Sequence, residues 1–138
     1  MEAQVMIPAF RPDGTLPPGT HSATLDEVFT VYLPRNQQRQ ILNDSLRQAV
    51  IALRALDPAI MIYVDGGYIT SKAEPNDVDL LIITNRFSTL AIVTYLDQVC
   101  PVEAVSLDIN VEQGIPNVVF DVFTTTRRGQ DKGIILLT

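Results

Sequence analysis

Apolar positions recur along the chain with changing period, and each change marks an element. Residues 1–22 show no period. Pro8, Pro12, Pro17 and Pro18, with Gly14 and Gly19, deny both helix and central strand there and predict an extended arm over the surface. A helical period begins at Thr24, which stands at capping-box spacing from Glu27; Leu25, Val28, Phe29 and Tyr32 follow until Pro34 stops the run. Asn36 is placed to cap a longer helix with Leu42, Leu46, Val50 and Leu53 as its core stripe and Arg39, Asp44, Arg47 and Arg54 directed elsewhere, ending at Asp57 and Pro58. Residues 59–64 are apolar and β-rich, as in a buried strand, and lead into the turn formers Asp65, Gly66 and Gly67. A second turn at Glu74, Pro75 and Asn76 precedes residues 78–84, an apolar run suited to a central strand. Ser88 caps a predicted helix carrying Ile92, Leu96 and Val99, closed by Pro101. Residues 105–111 switch to period two: Val105, Leu107, Ile109 and Val111 alternate with Ser106, Asp108 and Asn110, the pattern of a strand with one polar face. Residues 118–123 read as strand or short helix, 127–132 as a polar loop and 133–137 as a last strand.

Helices interleaved with strands, with no internal repeat or linker, predict one α+β (α/β) domain over residues 23–138 behind the arm of residues 1–22. A chain of 138 residues buries enough surface to fold without staples or metal. Its single cysteine, Cys100, excludes an intrachain disulfide and reads as a small buried hydrophobe. With no signal-like segment at the start, this predicts a reducing, cytoplasmic setting. The longest apolar runs fall far short of the roughly 20 residues that span a bilayer, so no membrane association is expected. Ten basic residues stand against 16 acidic ones, a formal charge of -6 with a pI near 4.5. That balance repels a polyanion and argues against bulk binding to DNA. It leaves room for a purposeful cluster of carboxylates, which can hold a divalent cation and, through it, a phosphorylated ligand.

The stretch YVDGGYITSKAEPNDVDLLII, residues 63–83, carries the candidate chemistry. Side chains two apart on a strand share a face, so Asp77 and Asp79 project together while Val78 and Leu80 turn to the core. Two like charges side by side repel unless a cation such as Mg²⁺ lies between them. Gly66 and Gly67 let the backbone approach a ligand and present amide groups to a phosphate. Taken singly, an Asp-x-Asp is often a solvated strand entrance and a Gly-Gly an ordinary turn. Their order here, strand, glycine loop, turn, acidic strand and then a later acidic strand, points instead to a site.

That order resembles the nucleotidyltransferase superfamily of DNA polymerase beta in its minimal bacterial form. The stretches LPPGTHSATLDEV and DGGYITSKAEPNDVDL and the ending KGIIL are similar to a small group of nucleotidyltransferase-like proteins of bacteria and phage, so that the likeness spans nearly the whole chain. The resemblance implies a small mixed sheet with helices packed on it. It also implies a metal site for Mg²⁺ or Mn²⁺ at Asp77 and Asp79, and a phosphate loop at Gly66 and Gly67. The third carboxylate best matches Asp108, with Asp121 in reserve; the plain alternative for Asp108 is the wet face of an edge strand. The implied reaction moves a nucleoside monophosphate from a nucleoside triphosphate such as ATP to an acceptor hydroxyl on RNA, for example tRNA, or on protein. Catalysis falls to Asp77, Asp79 and Asp108 with one or two metal ions, and Asp108 accepts the hydroxyl proton. Lys72 is placed to neutralise a β- or γ-phosphate.

One departure matters. Gly67 stands where the family usually has serine, so either Thr70 or Ser71 supplies the missing hydroxyl or triphosphate binding is impaired. The alternative function is therefore a non-catalytic nucleotidyltransferase-like binding module with a protein partner, as in a toxin-antitoxin or phage-defence pair. His21, the only histidine, lies in the proline-rich arm, which argues against a histidine metal site or a Ser-His-Asp triad. Arg127, Arg128 and Lys132 form the one basic cluster, read as a solvated loop with an acceptor contact as the alternative.

Overall fold

In a computed structural model, residues 7–99, 107–112 and 132–138 are described. The Thr24 hydroxyl accepts the Glu27 amide at 3.2 Å, and the Glu27 carboxylate accepts the Thr24 amide at 3.1 Å. This closed box starts helix α1, Leu25–Val31. Asn36 caps α2, Gln37–Leu56, by accepting the Arg39 amide at 2.8 Å. The Ser88 hydroxyl accepts the Ala91 amide at 3.1 Å at the start of α3, Thr89–Val99.

Among the described residues, five strands form one mixed sheet: β1 (Thr20–Ala23), β2 (Met61–Asp65), β3 (Val78–Ile83), β4 (Leu107–Glu112) and β5 (Ile134–Leu137). Their order is β1-β5-β2-β3-β4, with parallel pairs at both edges and antiparallel pairs in the middle. This is the α+β class with a mixed sheet. Strand alternation sorts the side chains. Ile62, Val64, Val78, Leu80, Ile82 and Ile135 share one buried cluster with Val28 of α1, Leu42, Leu46 and Leu53 of α2, and Ile92 and Leu96 of α3. Tyr63, Leu81, Ile83 and Ile134 form a second buried cluster on the opposite face. Among the described residues, no helix is long and apolar enough to cross a membrane.

The arm departs from the expected surface path in two respects. Ile7 and Leu16 are buried in the main cluster, and Thr20–Ala23 joins the sheet as an edge strand, across the predicted boundary at residue 22. Among the described residues β1 is paired on one side only, by β5, and such an edge position tolerates this approach. His21 Nε2 donates to the Pro17 carbonyl at 2.7 Å and so fastens the arm to itself. Cys100, Pro101, Val105, Ser106, Asp121, residues 118–123, Arg127 and Arg128 lie outside the described residues.

Candidate metal and phosphate site

Strand register assembles the acidic residues. Asp65 pairs with Asp79 across β2 and β3, and Asp79 pairs with Asp108 across β3 and β4. Directly paired residues project to the same face, so the three stand in a row at one end of the sheet. Asp77, two residues before Asp79, adds a fourth carboxylate on that face. One oxygen each from Asp77, Asp79 and Asp108 lies within 4.8 Å of the other two. Oxygens on opposite sides of a Mg²⁺ ion are about 4.2 Å apart, so the three carboxylates are near enough to share a hard divalent cation once their side chains draw slightly closer. Val78 and Leu80 point into the core, as the alternation requires.

The crowding has an electrostatic cost. Burial first, and then the charge of Asp77, push the Asp79 carboxyl up to about 7; a side-chain hydrogen bond with Asp108 and the charges of Asp108 and Asp65 act in the same direction. Below about pH 7, Asp79 therefore holds a proton that a cation would replace.

Gly66 closes this end of the sheet. Its φ is 82°, a left-handed value that favours glycine, and a Cβ there would lie 2.8 Å from the Asp79 carboxyl carbon. Gly66 thus lets the chain turn tightly against the carboxylates. Gly67 begins a single 3-10 turn, Gly67–Ile69. Both glycines face a cleft of about 120 Å³ whose described lining also includes Asp65, Thr70 and Lys132. Lys132 thus brings a cation to the lining of this cleft.

The candidate hydroxyls are placed differently from one another. Thr70 Oγ1 donates to the Gly67 carbonyl at 2.6 Å and accepts the Lys72 amide at 3.2 Å, so it serves to close the loop. Ser71 is exposed and lies against Gly14 of the arm, whose carbonyl accepts the Ser71 amide at 2.9 Å. Lys72 is exposed, and its side-chain stem passes beside Gly67.

Two contributors were not among the sequence candidates. Asp65 is 2% exposed and takes its place through the pairing of β2 with β3, which no local pattern announces. Arg39 was expected on the outer face of α2, but it is 6% exposed and lies beneath the loop. Its guanidinium donates to the carbonyls of Tyr68 at 2.9 Å, Thr70 at 3.0 Å and Lys72 at 2.6 Å, and sits over the rings of Tyr32 and Tyr68. Asn43 accepts the Tyr68 hydroxyl and donates to the Tyr32 carbonyl at 2.9 Å, while the Tyr32 hydroxyl donates to the Ile69 carbonyl at 2.8 Å. Burial pushes both phenols up, so they remain protonated donors. Asn36 and Gln38 hold the later part of the loop through the carbonyls of Ala73 and Pro75. The signal was present: Arg39 and Asn43 occupy the same helical stripe as Leu42, Leu46 and Leu53.

The fold and this end of the sheet together define an α+β domain with a carboxylate cluster beside a glycine loop. Residues 8–138 match the family described as "Family of unknown function (DUF6932)", and the chain belongs to that family. Neither the curated proteins nor the solved structures offer a match to it.

Proposed function

We propose that the protein is a metal-dependent nucleotidyltransferase, cytoplasmic in setting, that moves a nucleoside monophosphate from a nucleoside triphosphate to an acceptor hydroxyl on RNA or protein. The observation that carries this reading is the convergence of Asp77, Asp79 and Asp108 within 4.8 Å at the mouth of a glycine turn. These three residues would hold Mg²⁺ or Mn²⁺, which when bound supplies Lewis-acid activation of the α-phosphate and neutralises the leaving pyrophosphate. The amides of Gly66 and Gly67 and the ammonium of Lys132 line the cleft that takes the phosphate tail. Asp108, the exposed member of the cluster, accepts the proton of the attacking hydroxyl. The new bond joins that oxygen to the α-phosphorus as the bond to the β-phosphate oxygen breaks, and pyrophosphate departs with its charge. Incubation with Mg²⁺, labelled triphosphates and candidate tRNA and protein acceptors tests the reading. Transfer lost in Asp79→Asn supports it; failure of the intact protein to bind either Mg²⁺ or a triphosphate overturns it.

Gly67 favours a second reading. With no side-chain hydroxyl at this position and that of Thr70 engaged in the loop, the domain is a nucleotide-binding module that serves a protein partner without catalysis. A partner that copurifies from the native host, in an association indifferent to Asp77→Asn, distinguishes this reading from the first.

A further inference from the structure

On the side of the loop away from the carboxylates, a cleft of about 240 Å³ opens at the start of α2. Arg35, Arg39 and Lys72 line it, and no carboxylate is among its described lining residues. Among the described residues, ion pairs form elsewhere, at Arg11, Arg47 and Arg86, and none reaches these three cations. Arg35 is close enough to Arg39 for the two charges to oppose each other. Three cations gathered without a counter-charge, in a chain of net charge -6, call for an anion from outside.

The helix starts make the same point independently. α1 begins with Asp26 and Glu27 in its first turn, which satisfy the positive end of the helix. α2, at 20 residues nearly three times as long, has no acidic residue in its first turn and carries Arg39 there instead. The positive end of its dipole adds to the cationic side chains and suits phosphate. Two exposed apolar side chains line the same cleft: Phe10 is 37% exposed with its ring 5.9 Å from that of Tyr32, and Leu33 is 44% exposed. The cleft is therefore lined by both cationic and apolar side chains. At about 240 Å³ the cleft lies near the lower end of the range for small-molecule sites.

We infer that this cleft binds a small phosphomonoester with a flat aromatic part, of the mononucleotide class, with its phosphate on Arg35, Lys72 and the start of α2 and its aromatic part on Phe10 and Leu33. Arg39 spends its hydrogen bonds on the loop carbonyls and contributes only charge. The site is separate from the carboxylate cluster and needs no metal ion, so it stands whether or not the protein transfers nucleotides.

The test uses the whole protein in excess EDTA, titrated with AMP and, separately, with inorganic phosphate by calorimetry. Saturable AMP binding is expected, with a dissociation constant on the order of 100 μM. Arg35→Ala, an exposed position outside the proposed transfer machinery, weakens AMP at least about tenfold through loss of a charge-assisted contact. Phe10→Ala brings AMP down to the affinity of phosphate, and Asp77→Asn leaves AMP unchanged. Absence of saturable AMP binding in EDTA overturns the inference, as does an Arg35→Ala variant that binds like the parent. Weakening by Asp77→Asn equal to that by Arg35→Ala also overturns it, because the nucleotide would then belong to the carboxylate end.

Discussion

At one end of the sheet, Asp65, Asp79 and Asp108 stand in register with Asp77 beside them, while across the loop that follows β2 three cations face a cleft at the start of α2. The two regions are built by different means. The acidic one comes from strand period and register, so the backbone positions of its strand carboxylates are set by the ladders. The basic one comes from a loop and a helix start, and one of its charges, Arg39, is used to hold that loop in place. Repulsion is therefore stored at the carboxylates, where it raises Asp79, whereas at the basic side the charge of Arg39 is spent on structure and those of Arg35 and Lys72 are left for a ligand. A region that stores repulsion gains stability when it binds its counter-ion; a region that spends its charge on structure loses stability when the charge is removed.

The largest expected effect tests that contrast at its acidic side. Asp79→Asn removes the central carboxylate, and transfer should fall by about 10³-fold or more together with Mn²⁺ binding, measured with labelled triphosphate and by calorimetry. The same variant should be more stable than the parent in EDTA at pH 8, because one of the crowded charges has gone. Loss of both activity and metal-free stability would show that the cluster is structural. Arg39→Met makes the opposite change at the basic side. Three carbonyls lose a charged donor, and stability should drop by roughly 3 kcal/mol, about 10 °C in Tm for a chain of this size. Arg39→Lys should recover little of this, since an ammonium cannot span three carbonyls as the planar guanidinium does.

The two regions also differ in how far they could be read from the sequence. Asp77 and Asp79 were legible because strand period alone puts them on one face, and Asp108 because its strand alternates. Thr24 and Asn36 announced their helix starts through local capping chemistry, and both caps form. Asp65 was not legible: it joins the row only through the pairing of β2 with β3, and pairing is a relation between distant residues. Arg39 was misread because a charged residue on an apolar helix stripe is ordinarily assigned to solvent, whereas here loop carbonyls return its hydrogen bonds. The arm was misread for the same reason as Asp65, since Thr20–Ala23 becomes a strand only because β5 lies beside it.

A pH series probes the stored repulsion directly. Asp79 holds its proton up to about 7 in the folded protein, against 3.8 as the ordinary value, so between these limits the folded state binds more protons than the unfolded state. Stability in EDTA should accordingly fall as pH rises through this window and level off above it. Solvent at the partly buried group screens the effect to roughly 1–2 kcal/mol, a Tm change of a few degrees. Saturating Mg²⁺ should reverse the slope, because the cation binds the deprotonated cluster. A flat metal-free profile, identical to that of Asp79→Asn, would mean that the carboxylates do not crowd one another in solution.

The smallest effect concerns the residue between the two regions. Gly67 does not adopt a positive φ, and among the described residues a Cβ there would meet only Lys72 Cδ and Pro75 Cβ, both at an ordinary 3.6 Å. Gly67→Ser should therefore change stability by less than about 0.5 kcal/mol, in contrast to Gly66→Ala, which forces a methyl group into the Asp79 carboxylate. The new hydroxyl would lie beside the Lys72 stem, where a phosphate tail over the loop can reach it. One added neutral hydrogen bond is worth about 0.5–1.5 kcal/mol, so triphosphate affinity in Mg²⁺ should rise about two- to tenfold. AMP binding in EDTA, which belongs to the cleft at α2, should not change. A rise in triphosphate affinity accompanied by faster transfer means that Gly67 weakens an enzyme. A rise in affinity with no transfer at all means that the glycine belongs to a binding module, and the carboxylates then hold their cation for the nucleotide alone.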